Sequence, residues 1–283
     1  MVSLPSIRRK RHVESGREQR VALVTGAASG IGAALVARLL SDGFRVCATD
    51  VQALESLVER HGAERLLIAA LDVRDPAAWH AVVAKVQQRW QRLDVLANVA
   101  GVLRDGWVHE TTPDDVDFHF DINVKGSILG MQAVLPAMRK AGKGNILNVA
   151  SLASLSPVPG LGLYSASKYA IRAYSLAAAM ELAPEGIAVT TICPDAVATP
   201  MLDIQKGKPQ AELTFSGPRA LTPREVADAM VDQGIRDRQM EVILPPWRGA
   251  TAKLVNVFPQ TGKNALGLFR RTGKKRQAAY KSE

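Results

Sequence analysis

From Arg20 to Pro246, short apolar runs alternate with stretches of helical periodicity. The runs are RVALVTG, FRVCATD, RLLIAALDV, LDVLANVAG, GNILNVAS, IAVTTICP and MEVILPP. The intervening stretches carry helix signals. IGAALVARLLSDG stops at Gly43, and DPAAWHAVVAKVQQRW opens on an acid followed by Pro. The segment from Thr112 to Gly142 reads as one long helix, and so does the Ala-rich segment from Leu163 to Gly186. Wholly apolar strands separated by helices predict a parallel sheet covered on both faces. Right-handed crossovers make this a doubly wound α/β domain. Ligands in such domains lie beyond the carboxyl ends of the strands, where the strand order reverses.

Charge divides the chain into three parts. Residues 1–19 form a basic N-terminal tail, residues 20–247 the folded domain, and residues 248–283 a basic, partly amphipathic C-terminal tail. The net charge of +9 splits as +4 for residues 1–20, −3 for 21–247 and +8 for 248–283. A mildly acidic body argues against nucleic acid as a partner and leaves the tails open to an anionic one. For the C-terminal tail three readings stand: a solvated tail, a lid folded over a pocket, or a peripheral contact with a membrane surface. In the lid reading the apolar part folds over the pocket rim and the final ten or so residues stay disordered; in the membrane reading a short helix over 264–271 gathers Leu266 and Phe269 on one side. Cys47 and Cys193 lie in apolar strands and read as buried thiols. Five scattered histidines and no C-x-x-C argue against a metal site. No apolar run approaches the ~18 residues of a membrane span. The first twenty residues lack an apolar core, so a cytoplasmic location is expected.

The first strand runs into Thr25-Gly26-Ala27-Ala28-Ser29-Gly30-Ile31-Gly32. Gly26 suits a tight turn, Gly30 a close backbone approach to a pyrophosphate, and Gly32 close helix packing. Ser29 and Ile31 flank Gly30 at a helix N-terminus, whose free N–H groups and positive dipole end favour an anion. Asp50 ends the second strand, eighteen residues beyond Gly32. Its carboxylate can accept from the adenosine ribose hydroxyls and would repel a 2′-phosphate. No Arg or Lys occupies Ala27–Ser29 or follows Asp50 directly. NAD is therefore expected as cofactor in preference to NADP. Asp72 and Val73, after the third strand, are placed near the adenine. Asn98 and Gly101, in NVAG, are placed near the same groove.

Tyr164 and Lys168 are four residues apart in a helix, on one face. A free phenol has a pKa near ~10, and bringing it to neutrality needs about 4 kcal/mol. A neighbouring ammonium acts in that direction, and a cationic nicotinamide ring adds to it. Ser151 ends the fifth strand thirteen residues before Tyr164, where its hydroxyl can donate to a substrate carbonyl. Asn123 is an amide in an apolar stretch of the long helix. It reads either as a kink satisfied by water or as the holder of a water linking Lys168 to solvent.

Together, TGxxxGIG, the strand-end Asp, NVAG, the helical Asn, the Ser and YxxxK resemble the short-chain dehydrogenase/reductase family in order and spacing. The resemblance covers about residues 20–247. It implies a single Rossmann-type domain with a seven-stranded parallel sheet. It also implies hydride transfer between a nicotinamide cofactor and a hydroxyl or carbonyl substrate. Within it Tyr164 is similar to the family's acid/base, Ser151 to its substrate-orienting hydroxyl, Lys168 to its tyrosine modulator and ribose clamp, and Asn123 to its relay. Pro194, Val197 and Thr199 match positions that back the nicotinamide. Asp195 departs from the usual Pro-Gly.

Residues 152–163 and the loop 200–222 are expected to wall the substrate pocket. The loop contributes Met201, Leu202, Leu213 and Phe215, which favour a small apolar alcohol or ketone. An NADPH-dependent reductase such as a 3-oxoacyl reductase, and a non-catalytic dinucleotide-binding regulator, are the other readings. Asp50 argues against the first and the Asn–Ser–Tyr–Lys set against the second. The family pattern also implies a homodimer or homotetramer through the two long helices. Met131, Val134, Met138, Tyr174, Ala177 and Met180 are the expected contacts.

Overall fold

The computed structural model describes residues 19–280. The basic segment before them and residues 281–283 lie outside the described residues. Each apolar run forms a strand: β1 (Val21–Thr25), β2 (Arg45–Asp50), β3 (Leu66–Ala70), β4 (Val95–Asn98), β5 (Gly144–Val149), β6 (Ile187–Pro194) and β7 (Glu241–Leu244). All pairs are parallel, in the order β3-β2-β1-β4-β5-β6-β7. This is the expected seven-stranded Rossmann-type sheet. The order reverses at β1, so the ends of β1 and β4 diverge and open a crevice.

Helices cover both faces. One face carries α1 (Gly30–Ser41) and α2 (Glu55–His61); the other carries α3 (Pro76–Trp90). The segment expected as one helix from 113 to 141 is instead α4 (Pro113–Phe120), a wide π-turn (Asp121–Lys125) and α5 (Gly126–Ala141). The cause is tertiary. The π-turn swings the Asn123 amide onto the Val102 backbone, while α5 presses close to its neighbours. A Cβ on Gly126 would sit 2.6 Å from Val73, and one on Gly130 would sit 2.6 Å from Trp79. Downstream come α6 (Gly162–Leu182), α7 (Pro200–Asp203), a 3₁₀ stretch (Pro209–Ser216) and α8 (Pro223–Ala229). Thr112 and Thr222 open α4 and α8 with reciprocal capping boxes to Asp115 and Glu225, each followed by Pro.

The C-terminal tail departs most from expectation. Residues 246–280 form two helices, α9 (Pro246–Val257) and α10 (Pro259–Ala279), and α10 packs along the 209–216 stretch. The expected short helix at 264–271 extends over 259–279, and its final turns are ordered by partners far away in sequence. Gln277 donates to the carbonyls of Gln205 and Lys208 at 2.8 and 3.0 Å. Among the described residues no helix is long and apolar enough to cross a membrane. Both thiols are buried and free. The expected interface divides. Met131, Val134 and Met138 are buried against the sheet, whereas Tyr174, Ala177 and Met180 lie exposed on α6.

Candidate active site

The crevice beyond β1 and β4 is a cleft of about 890 Å³. At one end the chain turns from β1 into α1. Gly26 and Gly30 adopt φ of +65° and +53°, a region that favours glycine. A Cβ on Gly26 would lie 2.8 Å from the Ala100 backbone, and one on Gly30 would lie 2.8 Å from Thr199. On Gly32 it would lie 2.0 Å from the Gly26 carbonyl oxygen. Gly32 thus packs the helix against its own loop. Ser29, Gly30, Ile31 and Gly32 all line the cleft, so the backbone of the first turn of α1 is open to an anionic ligand.

Asp50 stands beside this turn. One carboxylate oxygen accepts from Ala28 N and the other from Gln52 N, both at 3.0 Å. The residue therefore shapes the glycine loop as well as facing the cleft. Asp72, expected at the adenine edge, lines the cleft too, but its carboxylate is gripped by Arg74 at 2.6 Å. The Arg74 hydrogen bonds hold the Asp72 carboxyl below its usual range. Val73 and Gly101 line the cleft. Asn98 is not among its lining residues: its amide is buried and donates to Ser127 O and to Asn148 Oδ1 at 3.1 and 2.8 Å. Asn148 continues to the Ser175 hydroxyl at 2.8 Å, so this network ties β4 and β5 to α5 and α6.

At the other end of the cleft, β5 and α6 converge. Ser151, Tyr164 and Lys168 line one wall. The Ser151 hydroxyl oxygen accepts from Ala153 N at 3.1 Å. Lys168 Nζ donates to Val149 O at 2.9 Å and lies 5.7 Å from the centre of the Tyr164 ring. Asn123 is buried behind them rather than in the cleft. Its Oδ1 accepts from Val102 N at 2.8 Å, and its Nδ2 donates to Val102 O and Ser167 Oγ, both at 3.0 Å. Its side chain thus clamps the strand-4 loop. A Cβ on Gly101 would meet both Asn123 Oδ1 (3.2 Å) and Lys168 Nζ (3.3 Å), so both groups pack against this glycine.

The electrostatics correct one expectation. Lys168 was expected to lower the phenol, but burial pushes Tyr164 up to about 12, opposed by its hydrogen bond with Ser151. Burial likewise pulls Lys168 down to about 8. Both charged forms lose hydration, and the ammonium is turned to the Val149 carbonyl. The protein groups by themselves do not make Tyr164 a base at neutral pH.

Pro194, Val197 and Thr199 form the floor between the two ends. Thr199 Oγ1 donates to Val197 O at 3.2 Å, and Ala198 N donates to Leu221 O at 2.8 Å. Leu152, Val158, Leu161, Met201, Leu202 and Leu213 wall the substrate end. Phe215 does not line the cleft: it is buried beside Tyr280, with ring centres 5.4 Å apart.

The short chain dehydrogenase family model matches residues 20–209. The chain is 36% identical over 224 residues to 2-(R)-hydroxypropyl-CoM dehydrogenase of Xanthobacter autotrophicus, covering 75% of this chain and 90% of that one. It is 36% identical over 222 residues to cyclopentanol dehydrogenase of Comamonas sp., covering 75% and 88%. The chain belongs to the short chain dehydrogenase family. It is an oxidoreductase acting on CH–OH groups with a nicotinamide dinucleotide cofactor. A short chain dehydrogenase/reductase of Burkholderia phymatum, solved in complex with NAD, superposes with a TM-score of 0.77 at 25% identity, over 87% of this chain and 95% of that one.

In this short chain dehydrogenase the part beyond residue 209 lies outside the matched span, and it supplies wall residues, as the lid reading of the C-terminal segment expects. Val255, Pro259, Leu266 and Phe269, from α9 and α10, line the cleft. Leu103, Phe118 and Ile122, around α4, line it as well. The spacing of Leu266, Phe269, Gly273 and Gln277 was the available signal, since three- and four-residue steps make one helix face.

Proposed function

We propose that the chain is an NAD-dependent dehydrogenase of apolar secondary alcohols, or reductase of the matching ketones, with Tyr164 as its acid/base. The observation that carries this reading is the meeting of Ser151, Tyr164 and Lys168 at the apolar end of a cleft whose other end is the glycine turn and Asp50. The glycine turn fits a pyrophosphate, since side chains on Gly26, Gly30 and Gly32 would strike Ala100, Thr199 and Gly26 itself. Asp50 would hold the adenosine ribose, and Lys168 the ribose on the nicotinamide side. When bound, the nicotinamide supplies the hydride acceptor and, in its oxidised form, a positive charge near the phenol.

The chain's own groups do the rest. The Ser151 hydroxyl donates to the substrate oxygen and fixes it beside the phenol. In alcohol oxidation the Tyr164 phenolate takes the hydroxyl proton; in ketone reduction the phenol returns it. Lys168 steadies the phenolate and passes the proton onward. The leucine, valine and methionine walls exclude water and disfavour charged substrates. The cyclopentanol dehydrogenase likeness agrees with an uncharged, apolar alcohol.

NAD is favoured over NADP because both Asp50 oxygens are held by backbone N–H groups at the cleft edge, where a 2′-phosphate would meet a fixed negative charge. Arg74, the basic residue lining that end, is already paired with Asp72. The test is absorbance of NADH and NADPH over a panel of secondary alcohols, with Tyr164→Phe as control. The Phe variant is expected to lose turnover and keep cofactor affinity. Turnover by a folded Tyr164→Phe protein refutes the assignment.

A further inference from the structure

Asp195 stands where the family pattern has glycine, and the structure shows what it holds. Its carboxylate is 9% exposed and faces the Arg248 guanidinium, itself 16% exposed. Arg248 Nε donates to Asp195 Oδ2 at 2.8 Å and Nη2 to Oδ1 at 3.4 Å. Nη2 also donates to the Ser216 hydroxyl at 3.1 Å. One side chain from the first turn of α9 therefore joins two segments distant in sequence. One is the loop that follows β6 and floors the cofactor end. The other is the end of the 209–216 stretch. Gly217 lies so close that a Cβ there would be 2.9 Å from Asp195 Oδ2.

A second set of contacts fixes the far end of the same segment. Arg276 Nη1 donates to the carbonyls of Ser216 and Gly217, both at 2.6 Å. Gln277 is buried on the carbonyls of Gln205 and Lys208. A Cβ on Gly273 would lie 2.0 Å from the Glu212 carbonyl oxygen, so α10 touches the 209–216 stretch backbone to backbone. Arg270 stacks over Trp107, 5.0 Å from its ring centre, which adds the strand-4 loop. Between these anchors, Val255, Pro259, Gly262, Leu266 and Phe269 face the cleft. Residues 246–280 contain eight Lys or Arg and no Asp or Glu, so the counter-charge for Arg248 must come from outside the segment.

We propose that residues 246–280 form a substrate lid latched by Arg248 on Asp195 and Ser216, and that this latch sets the enzyme's preference for bulky apolar alcohols. The idea rests on the proposed alcohol dehydrogenase activity for its substrate and on the ion pair for its mechanism. A small alcohol held by Ser151 and Tyr164 lies against the fixed walls from residues 152–161 and 201–213. A larger one reaches Leu266 and Phe269, whose position depends on the latch. Arg248 touches no reacting atom and is a positioning residue. Breaking one side of a buried ion pair leaves the other charge uncompensated, so either single substitution releases the lid. Removing both partners adds little to removing one.

The experiment compares wild type, Asp195→Gly, Arg248→Gln and the double variant on two probes, cyclopentanol and cyclododecanol. Each single variant is expected to raise the ratio of the cyclododecanol KM to the cyclopentanol KM about tenfold, and the double variant by no more than the larger single effect. An Arg248→Lys protein, which keeps the charge but not the fork, is expected to recover part of the preference. Limited trypsin digestion within 246–280 is the readout independent of turnover. Cleavage there should quicken about tenfold in both single variants. NADH binding serves as the folding check. Asp195→Gly, which installs the family's own residue, carries the test if Arg248→Gln fails to bind NADH. Unchanged trypsin rates, additive single effects, or equal KM rises for both probes overturn the latch. Absence of turnover of either alcohol by wild type, with quickened cleavage in the variants, overturns the substrate reading and leaves the latch standing.

Discussion

Replacing Lys168 by Met is expected to stabilise the cofactor-free protein while removing its activity. Lys168 is 4% exposed, and burial holds its pKa at about 8 in place of 10.5. That difference corresponds to a penalty of about 3 kcal/mol on the charged form. Below its folded pKa the native protein bears the whole penalty, while the unfolded chain hydrates the ammonium freely. Between about 8 and 10.5 the native form gives up the proton and the unfolded form keeps it. The unfolded state then binds more protons, so stability rises with pH across that window. A methionine carries no charge to desolvate, though the Val149 carbonyl loses its donor, at about 1 kcal/mol. The variant is therefore expected to exceed the parent by about 2 kcal/mol at neutral pH, with the advantage shrinking above pH 8 and reversing before pH 10.5 is reached. The Cys47 thiol, held up to about 12, lowers the stability of both proteins at high pH and cancels in the difference. Urea unfolding of the two cofactor-free proteins from about pH 6 to pH 10 measures the gap. A gap that does not change with pH, or a variant less stable than the parent at neutral pH, refutes the reasoning.

Asp50→Ala is expected to weaken NAD binding by about one to two decades, since a charge-assisted hydrogen bond is worth about 1.5–3 kcal/mol, and to narrow the preference over NADP. Cofactor titration checks this, and a wild type that prefers NADPH contradicts it. Pairing through α6, where Met180 is 68% exposed and Tyr174 and Ala177 lie on the same side, predicts a dimer or tetramer in light scattering. Met180→Lys should shift it toward monomer. Trp247, Leu254 and Val257 of α9 and Phe258 after it are exposed, as are Lys263, Arg271, Lys274 and Lys275 of α10. Sedimentation with anionic vesicles at low salt is expected, lost at high salt and with neutral vesicles. No binding to anionic vesicles at low salt ends that proposal.

The strands themselves, the glycine turn, Asp50 at the end of β2, Ser151 at the end of β5 and the Tyr164–Lys168 pair were legible in the sequence. Each depends on a short-range rule: an apolar run, a positive-φ turn, or a four-residue step on one helix face. A doubly wound sheet then brings its strand ends to one edge whatever the surface residues are. Other features follow from segments that meet only after folding. The π-turn at 121–125 exists because Asn123 reaches the Val102 backbone. Met131, Val134 and Met138 are core rather than interface because the sheet takes that side of α5. The phenol is raised rather than lowered because its wall is dry. Asp195 reads in the chain as an odd residue at a glycine position, and its role appears only with Arg248, fifty-three positions later, against it. Composition leaves the basic C-terminal segment open between a solvated tail, a lid and a membrane contact; Gly273 and Gln277 decide it by seating the segment on a loop some sixty to seventy residues earlier. Periodicity and spacing act within a few residues along the chain. Burial and ion pairing depend on what the rest of the chain places alongside, and so only the folded structure settled them.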